Sequence, residues 1–179
     1  MKQDLILVDE RNRAVGRGEK ANVHRTGLLH RAFSIFLVDP SGRVLLQQRS
    51  RAKYHSGGLW ANACCGHPRP GERTLPAARR RLGEELNTRA SLRFAFRARY
   101  RTELSNGLIE NEIVYVYFGL VAEPIIPNPD EVAAVVWLTL ADLKADLARR
   151  PRRYAYWFRY YLKNHFAAIA RAAALTKRA

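Results

Sequence analysis

Asn62-Ala-Cys-Cys-Gly-His-Pro-Arg-Pro-Gly-Glu72 places a thiol, an imidazole and a carboxylate within eight residues, around two glycines. Cysteine, histidine and glutamate are the residue types that carry proton transfer and metal binding. Just downstream, Arg79-Arg-Arg-Leu-Gly-Glu-Glu85 reads as a helix carrying cations and two adjacent acids. That helix should run from about Thr74 to Leu86. Thr74 can cap it, Pro76 suits its first turn, and Leu75, Ala78, Leu82 and Leu86 form one apolar stripe. A reactive loop therefore feeds a short amphipathic helix.

Strands surround this unit on both sides. Residues 4–9 and 14–17 are expected to form a hairpin around Asp9-Glu-Arg-Asn12. Phe33-Ser-Ile-Phe-Leu-Val38 reads as a buried strand, Asp39-Pro-Ser-Gly42 as a turn and Arg43–Arg49 as the returning strand. Arg51–Gly71 reads as a loop rich in Gly, Trp and His. Beyond the helix, Leu92–Thr102 and Ile109–Val121 are expected as strands joined around Ser105-Asn-Gly107, because Asn-Gly favours a tight hairpin. Val132–Leu138 supplies another strand. Thr139 and Asp142 give a capping-box-like start to a helix over Leu140–Arg149. Pro151 opens an aromatic C-terminal helix, expected as one element over about 151–173. Mixed strands with a few packed helices make an α/β or α+β sandwich.

The 179 residues suit one domain with a sizeable core, and 47% hydrophobic with 26% charged content is that of a soluble globular chain. The longest apolar runs, such as Ile113–Val121, are too short to span a bilayer. The first residues hold an apolar run of only four, Leu5–Val8, so a secretory signal is not expected. The two cysteines are adjacent, which suits no ordinary structural disulfide and points to a reducing cytoplasm. A net charge of +15 raises nucleic-acid binding as a reading, yet the arginines are scattered and form no long basic block. Arginine outnumbers lysine 25 to 6, as a compositional bias of the source genome would also produce.

Glu110 and Glu112 are separated by one residue inside a strand-like run. Their carboxylates therefore project to one side, and two such charges repel unless something positive lies between them. An acidic edge strand in water is the simpler account. The continuation Val-Tyr-Val-Tyr-Phe118, however, marks a buried strand, which favours a metal. His24, His30 and His67 are the obvious complements, although each alone is more often a core or surface histidine than a ligand and the spacing of His24 and His30 is no established ligand signature. His55 and His165 carry no assigned role.

The set Gly66, Glu72, Arg80, Leu82 and Glu84-Glu85 forms a degenerate Nudix box. With the Cys-Gly-His-Pro lead-in at Cys65, the chain resembles the type I isopentenyl diphosphate isomerases of that superfamily. The resemblance covers Lys20 to about Trp157. It implies a Nudix-like mixed β-sheet sandwich flanked by helices, with residues 1–179 as a single domain. It implies one divalent metal held by His24, His30, His67, Glu110 and Glu112; three imidazoles with two carboxylates suit Mn²⁺ or Zn²⁺, and Mg²⁺ less well. It further implies that Cys65 is an acid/base on one face of the substrate and that Glu112, with Tyr100, works on the opposite face. Trp157 would stabilise a tertiary carbocation through its ring, an interaction of ~2 kcal/mol or more when desolvated. Lys20, Arg49, Lys53 and Arg81 would contact the diphosphate, Trp60 would flank the catalytic loop, and Glu85 would help hold a substrate-bridging Mg²⁺. Cys64 reads as an inert packing residue.

The implied activity is interconversion of isopentenyl and dimethylallyl diphosphates, with a small isoprenyl diphosphate as substrate, no flavin, no nucleic-acid partner and no membrane span. Two departures from the general box bear on the alternatives. Arg81 stands where a glutamate is usual, and Asn87 replaces the customary glycine. Lost acidity weakens the Mg²⁺ cluster of a Nudix pyrophosphohydrolase, the second reading. A non-catalytic basic RNA-binding module, the third, explains the charge but leaves the acid pair, the histidines and Cys65 without a purpose.

Overall fold

The computed structural model describes residues 3–104 and 106–177. In chain order the elements are β1 (Asp4–Val8), β2 (Ala14–Glu19), α1 (Lys20–Thr26), β3 (His30–Val38), β4 (Val44–Arg49), β5 (Trp60–Asn62) and β6 (Cys64–Gly66). They continue with α2 (Thr74–Leu86), β7 (Arg93–Glu103), β8 (Ile109–Leu120), β9 (Val132–Leu138), α3 (Leu140–Arg149), α4 (Tyr156–Asn164) and α5 (Phe166–Lys177). The strands form one hydrogen-bonded mixed sheet with β3 at its centre. β8 runs parallel to β3 in continuous register, and β1 and β6 pair antiparallel to different stretches of its other edge. A β4–β5–β9 group joins β3 only at the Val38–Val44 corner, and β7 forms the outer edge beside β8.

β3 explains the layering. Its run of apolar residues has no polar face because both of its faces are covered, as expected for a strand with a parallel neighbour. Side chains alternate along it. Ala32, Phe36 and Val38 enter a core with Leu143, Phe158, Tyr161 and Ile169 from the C-terminal helices. Phe33, Ile35 and Leu37 enter a second core with Ala78, Leu82 and Leu86 of α2. The sheet is thereby held between α2 on one side and α3–α5 on the other.

Several sequence expectations hold to the residue, including α2, β9 and α3, whose Thr139 Oγ1 accepts from the Asp142 backbone N–H at 3.1 Å. Asn87 ends α2 in the left-handed region (φ 48°), and its amide donates to the Ile126 carbonyl at 2.9 Å. Asparagine tolerates this conformation, so losing the customary glycine does not move the helix end. Other expectations need correction. Thr74 is inside α2, whose N-cap is Arg73, and its hydroxyl meets the Tyr117 hydroxyl at 2.6 Å instead. The stretch read as one loop contains β5 and β6, each of three residues and too short to show a period. α1 also escaped the sequence reading, being only two turns long; it ends at Gly27 in the left-handed region (φ 68°). A Cβ there would lie 2.9 Å from Ile109 Cγ2.

The single C-terminal helix is in fact a 3₁₀ turn over Pro151–Arg153 followed by α4 and α5. They break at His165, whose ring stacks on Phe96 of β7 at 4.9 Å. Continuous apolar periodicity concealed the break. Of the turn expected around Ser105-Asn-Gly107, Ser105 lies outside the described residues, and Gly107 has the positive φ (76°) that a glycine supplies.

Phe36 is fully buried, stacks on Phe118 at 4.9 Å and approaches Phe158 at 6.0 Å, so it couples the sheet to α4. Phe36→Ala should destabilise the fold by about 3–5 kcal/mol, read as a lower urea midpoint with an unchanged m-value.

Candidate active site

The register of β3 against β8 places His30 opposite Glu112, and that of β7 places Tyr100 opposite the same glutamate. α1 adds His24, and the strand end at β6 delivers Cys65, Gly66 and then His67. These elements line a cleft of about 770 Å³. A Cβ on Gly66 would come within 3.0 Å of the Phe33 ring, so a glycine lets this backbone pass close to the sheet.

At the cleft floor His24, His30, Glu110 and Glu112 are almost completely buried. His67 Nε2 lies 2.8 Å from Glu112 Oε1, His30 Nε2 lies 3.4 Å from the same oxygen, and His24 Nε2 lies 3.5 Å from Glu110 Oε2. The ligand atoms of His24, His30, His67 and Glu112 all fall within 4.8 Å of one another. The other ring nitrogens of the first two are committed: His24 Nδ1 meets the Lys20 carbonyl at 2.7 Å and His30 Nδ1 the Leu28 carbonyl at 2.8 Å. Each Nδ1 therefore carries the hydrogen, and each Nε2 presents its lone pair to the cluster. Among the described residues, His24 Nε2, His30 Nε2 and Glu110 Oε2 are buried with no hydrogen-bond partner. Orphaned buried acceptors are costly, and convergent imidazole and carboxylate acceptors are the donor set of a divalent cation. The residues fit such an ion.

The electrostatics are divided: burial works to lower His30, but the Glu112 carboxylate beside it raises it above the ordinary imidazole value. Burial pushes the His67 imidazolium down to about 3, despite the opposing pull of Glu112. Burial, reinforced by Glu112, raises Glu110. Burial alone would also raise Glu112, but the His30 and His67 rings beside it hold it well below the ordinary carboxylate range. A neutral imidazole and an ionised carboxylate are the forms that bind metal.

Cys65 faces the same cleft. Its sulfur lies 3.3 Å from both Ser34 Oγ and Asn62 Oδ1, and Ser34 in turn meets the Tyr161 hydroxyl at 3.0 Å. Burial pushes the thiol up to about 12, against the lowering effect of those two hydrogen bonds. The group is a neutral thiol at physiological pH. Across from it, the Tyr100 hydroxyl donates to Glu112 Oε2. Cys64, fully buried in the α2 core, is a packing residue.

The outer end of the cleft is cationic. Lys20, Arg49, Lys53 and Arg81 all line it. Glu85 is buried there at 1% exposure, accepts from Gln47 Nε2 at 3.2 Å and from Arg81, and has Lys53 Nζ 3.9 Å away. Glu131, which the sequence reading missed, pairs with Lys53 and lies 3.2 Å from Arg81. Trp157 is 4% exposed, and its ring packs under the Arg49 guanidinium at 5.2 Å. Glu72 of the box is outside the cleft lining: Arg80 donates to both its oxygens, at 2.9 and 2.8 Å, tying loop to helix.

Trp60 is not brought to this cleft. It lies against Arg153 at 5.8 Å and lines a separate pocket with Leu46, Val136 and Leu138. Its carbonyl accepts from Ala155 N–H at 2.9 Å, so it anchors the segment leading into α4. His55, given no role from sequence, does line the cleft, with Nε2 3.3 Å from Glu110 Oε1. Its spacing from the other histidines offered no signal; only the fold of the 50–58 segment brings it there.

The NUDIX domain family matches residues 28–158. Among curated relatives, "Isopentenyl-diphosphate Delta-isomerase 1" of Aromatoleum aromaticum is 49% identical over 88% of this chain and 89% of its own length. "Isopentenyl-diphosphate Delta-isomerase" of Serratia proteamaculans is 44% identical over 92% of each chain. Among solved structures, DR0079 from Deinococcus radiodurans superposes with a TM-score of 0.66 at 26% identity, over 86% of this chain and 100% of its own. A MutT protein from Methanosarcina mazei superposes with a TM-score of 0.59 at 16% identity, over 84% and 94%, a likeness of fold alone.

A thiol raised to about 12 stays protonated far above the ordinary thiol range. Ultraviolet thiolate absorbance of Cys64→Ala protein should thus remain absent through neutral and mildly alkaline pH, and appear only in strong alkali.

Proposed function

The chain belongs to the isopentenyl-diphosphate Delta-isomerases within the NUDIX superfamily, and from that membership we propose how its cleft interconverts isopentenyl and dimethylallyl diphosphates. One observation carries the reading. A single cleft brings a neutral, half-buried thiol, a Tyr100–Glu112 pair and a buried aromatic ring together with a cluster of cations at its outer end.

Moving the double bond requires a proton added at the terminal methylene and another removed from the neighbouring carbon. Cys65 and Glu112 are the acid/base pair on opposite faces of the allylic unit, so neither the substrate nor its cation has to turn between the two transfers. Ser34 and Asn62 fix the Cys65 sulfur, while the Tyr100 hydroxyl donates a hydrogen bond that fixes Glu112 Oε2. The face of Trp157 stabilises the tertiary carbocation. Lys20, Arg49, Lys53 and Arg81 grip the diphosphate. His24, His30, His67, Glu110 and Glu112 would hold a divalent ion such as Mn²⁺, Zn²⁺ or Mg²⁺, which would supply positive charge to the buried carboxylates, and Glu85 would help hold a Mg²⁺ that would offset phosphate charge. No flavin is needed for a protonation–deprotonation route.

The hydrolase reading fares worse. Of the box carboxylates, Glu72 is clamped by Arg80, and Glu84 is shared between Arg80 and Arg81. That leaves Glu85 as the buried acid in the cleft, with Arg81 beside it. No helix among the described residues is long and apolar enough to cross a membrane. Both cysteines are free, which supports a reducing, cytoplasmic setting, with residues 1–179 acting as one unit on a small substrate rather than on nucleic acid.

Proton NMR of the purified protein with isopentenyl diphosphate and Mg²⁺ in deuterated buffer tests the activity directly. Loss of the vinyl methylene signals with deuterium entering the new methyl group is expected; phosphate release without alkene migration would instead establish a hydrolase. Cys65→Ala should lower turnover by about 10²–10⁴-fold or more while retaining metal binding. Near-normal turnover would remove Cys65 from the mechanism. Glu112→Gln should weaken both catalysis and metal uptake, and unchanged metal affinity would exclude it as a ligand.

A further inference from the structure

The cleft holds one buried polar group that the isomerisation leaves unused. His55 belongs to the Arg51–Gly58 segment, and its ring stands edge-on to Trp157 at 6.0 Å and to Tyr54 at 4.6 Å. Its side chain is 8% exposed, with Nε2 3.3 Å from Glu110 Oε1. Arg49 donates to its carbonyl at 3.2 Å, which ties the backbone of the segment to the cleft wall.

The ligand atoms of the cluster fall into two groups rather than one. His24, His30, His67 and Glu112 are mutually within 4.8 Å, and so are His24, His55 and Glu110. The second group cannot be a second cation site filled alongside the first. His24 Nδ1 is committed to the Lys20 carbonyl, so His24 has one lone pair to give and can serve one ion. The two oxygens of Glu110 resolve the matter. Oε2 is the buried, unpartnered oxygen and lies 3.5 Å from His24 Nε2, whereas Oε1 lies beside His55. On the far side of the His55 ring, Ser56 Oγ lies 3.3 Å from Nδ1, where its hydroxyl can donate and leave the ring hydrogen on Nε2.

We propose that His55 is a positioning residue for the metal centre: through Nε2–H it holds Glu110 Oε1, and so presents Glu110 Oε2 to the ion. The inference rests on the metal reading of the cluster. Carboxylate ligands are commonly fixed in this way by a second hydrogen bond, and losing such a partner typically weakens metal binding by about 10–100-fold. The same ring touches Trp157, so His55 also links the segment carrying Lys53 to the wall that faces the substrate.

Mn²⁺ binding to the full-length protein, followed by titration calorimetry and by pulsed electron paramagnetic resonance, tests this. His55→Ala should weaken Mn²⁺ by about 10–100-fold. His55→Gln, whose amide can still donate to Oε1, should recover most of the loss; His55→Phe, which fills the space without donating, should recover none. In a Glu110→Gln background, His55→Ala should add no further loss. The imidazole ¹⁴N couplings of the bound Mn²⁺ should be the same with and without His55. Unchanged affinity in His55→Ala, or equal loss in the Gln and Phe variants, would overturn the assignment. So would disappearance of one imidazole coupling, which would make His55 a ligand. A wild-type protein that takes up no divalent ion would bring down the metal reading itself, an outcome distinct from strong uptake that is indifferent to His55.

Discussion

The parallel register between β3 and β8 is the constraint on which the rest of the molecule depends. It runs unbroken from His30 opposite Glu112 to Val38 opposite Leu120. At one end it closes the apolar centre of the sheet; at the other it sets the His30 imidazole 3.4 Å from the Glu112 carboxylate. A one-residue slip would turn every β8 side chain to the other face. Glu110 and Glu112 would then exchange places with Asn111 and Ile113, and the cleft would lose its floor. The two hydrophobic cores on either side of β3 oppose such a slip, so stability and site geometry are enforced by the same contacts.

That floor would be untenable in an ordinary core. Two carboxylates at 3% and 6% exposure carry a large desolvation cost. Imidazoles with their outer nitrogens tied to backbone carbonyls cannot neutralise them by hydrogen bonds alone, because several acceptors converge with too few hydrogens. A divalent cation would resolve the mismatch. The outer end of the cleft solves the opposite problem: Lys20, Arg49, Lys53 and Arg81 crowd together, and burial lowers the two lysines in the absence of enough acid. Glu85 and Glu131 offset only part of that charge, which leaves the region suited to a diphosphate.

The C-terminal segment completes the cleft rather than decorating it. Trp60 and Tyr154 form a bridge that starts α4 at a fixed point, after which Trp157 reaches the Arg49 guanidinium and Tyr161 the Ser34 hydroxyl that supports Cys65. An aromatic helix that looks like simple packing is therefore also the roof of the site, and the break at His165 lets α5 return across β7 and β8.

The sequence by itself determined the strong elements and named most of the candidate residues that the fold gathers around one cleft. α2, β9 and α3 were legible because their apolar spacing, caps and turn residues agree locally. The Glu110–Glu112 pair was legible because the period of a strand sends both carboxylates to one face, and Cys65 and His67 because they lie in the short Cys-Gly-His-Pro motif that carries the resemblance. His24 and His30 could be noted as complements of the acid pair but assigned as ligands only through resemblance, since no local period links a two-turn helix to a strand end. His55 was invisible, and Trp60 was expected at the wrong pocket, because each depends on which way an irregular segment or a three-residue strand turns. Those directions are set by contacts with residues far away in the chain, Arg49 and Glu110 for His55, and Tyr154 and Arg153 for Trp60. Periodicity carries information along the chain, but a site closed by long-range packing is decided only once the sheet has formed.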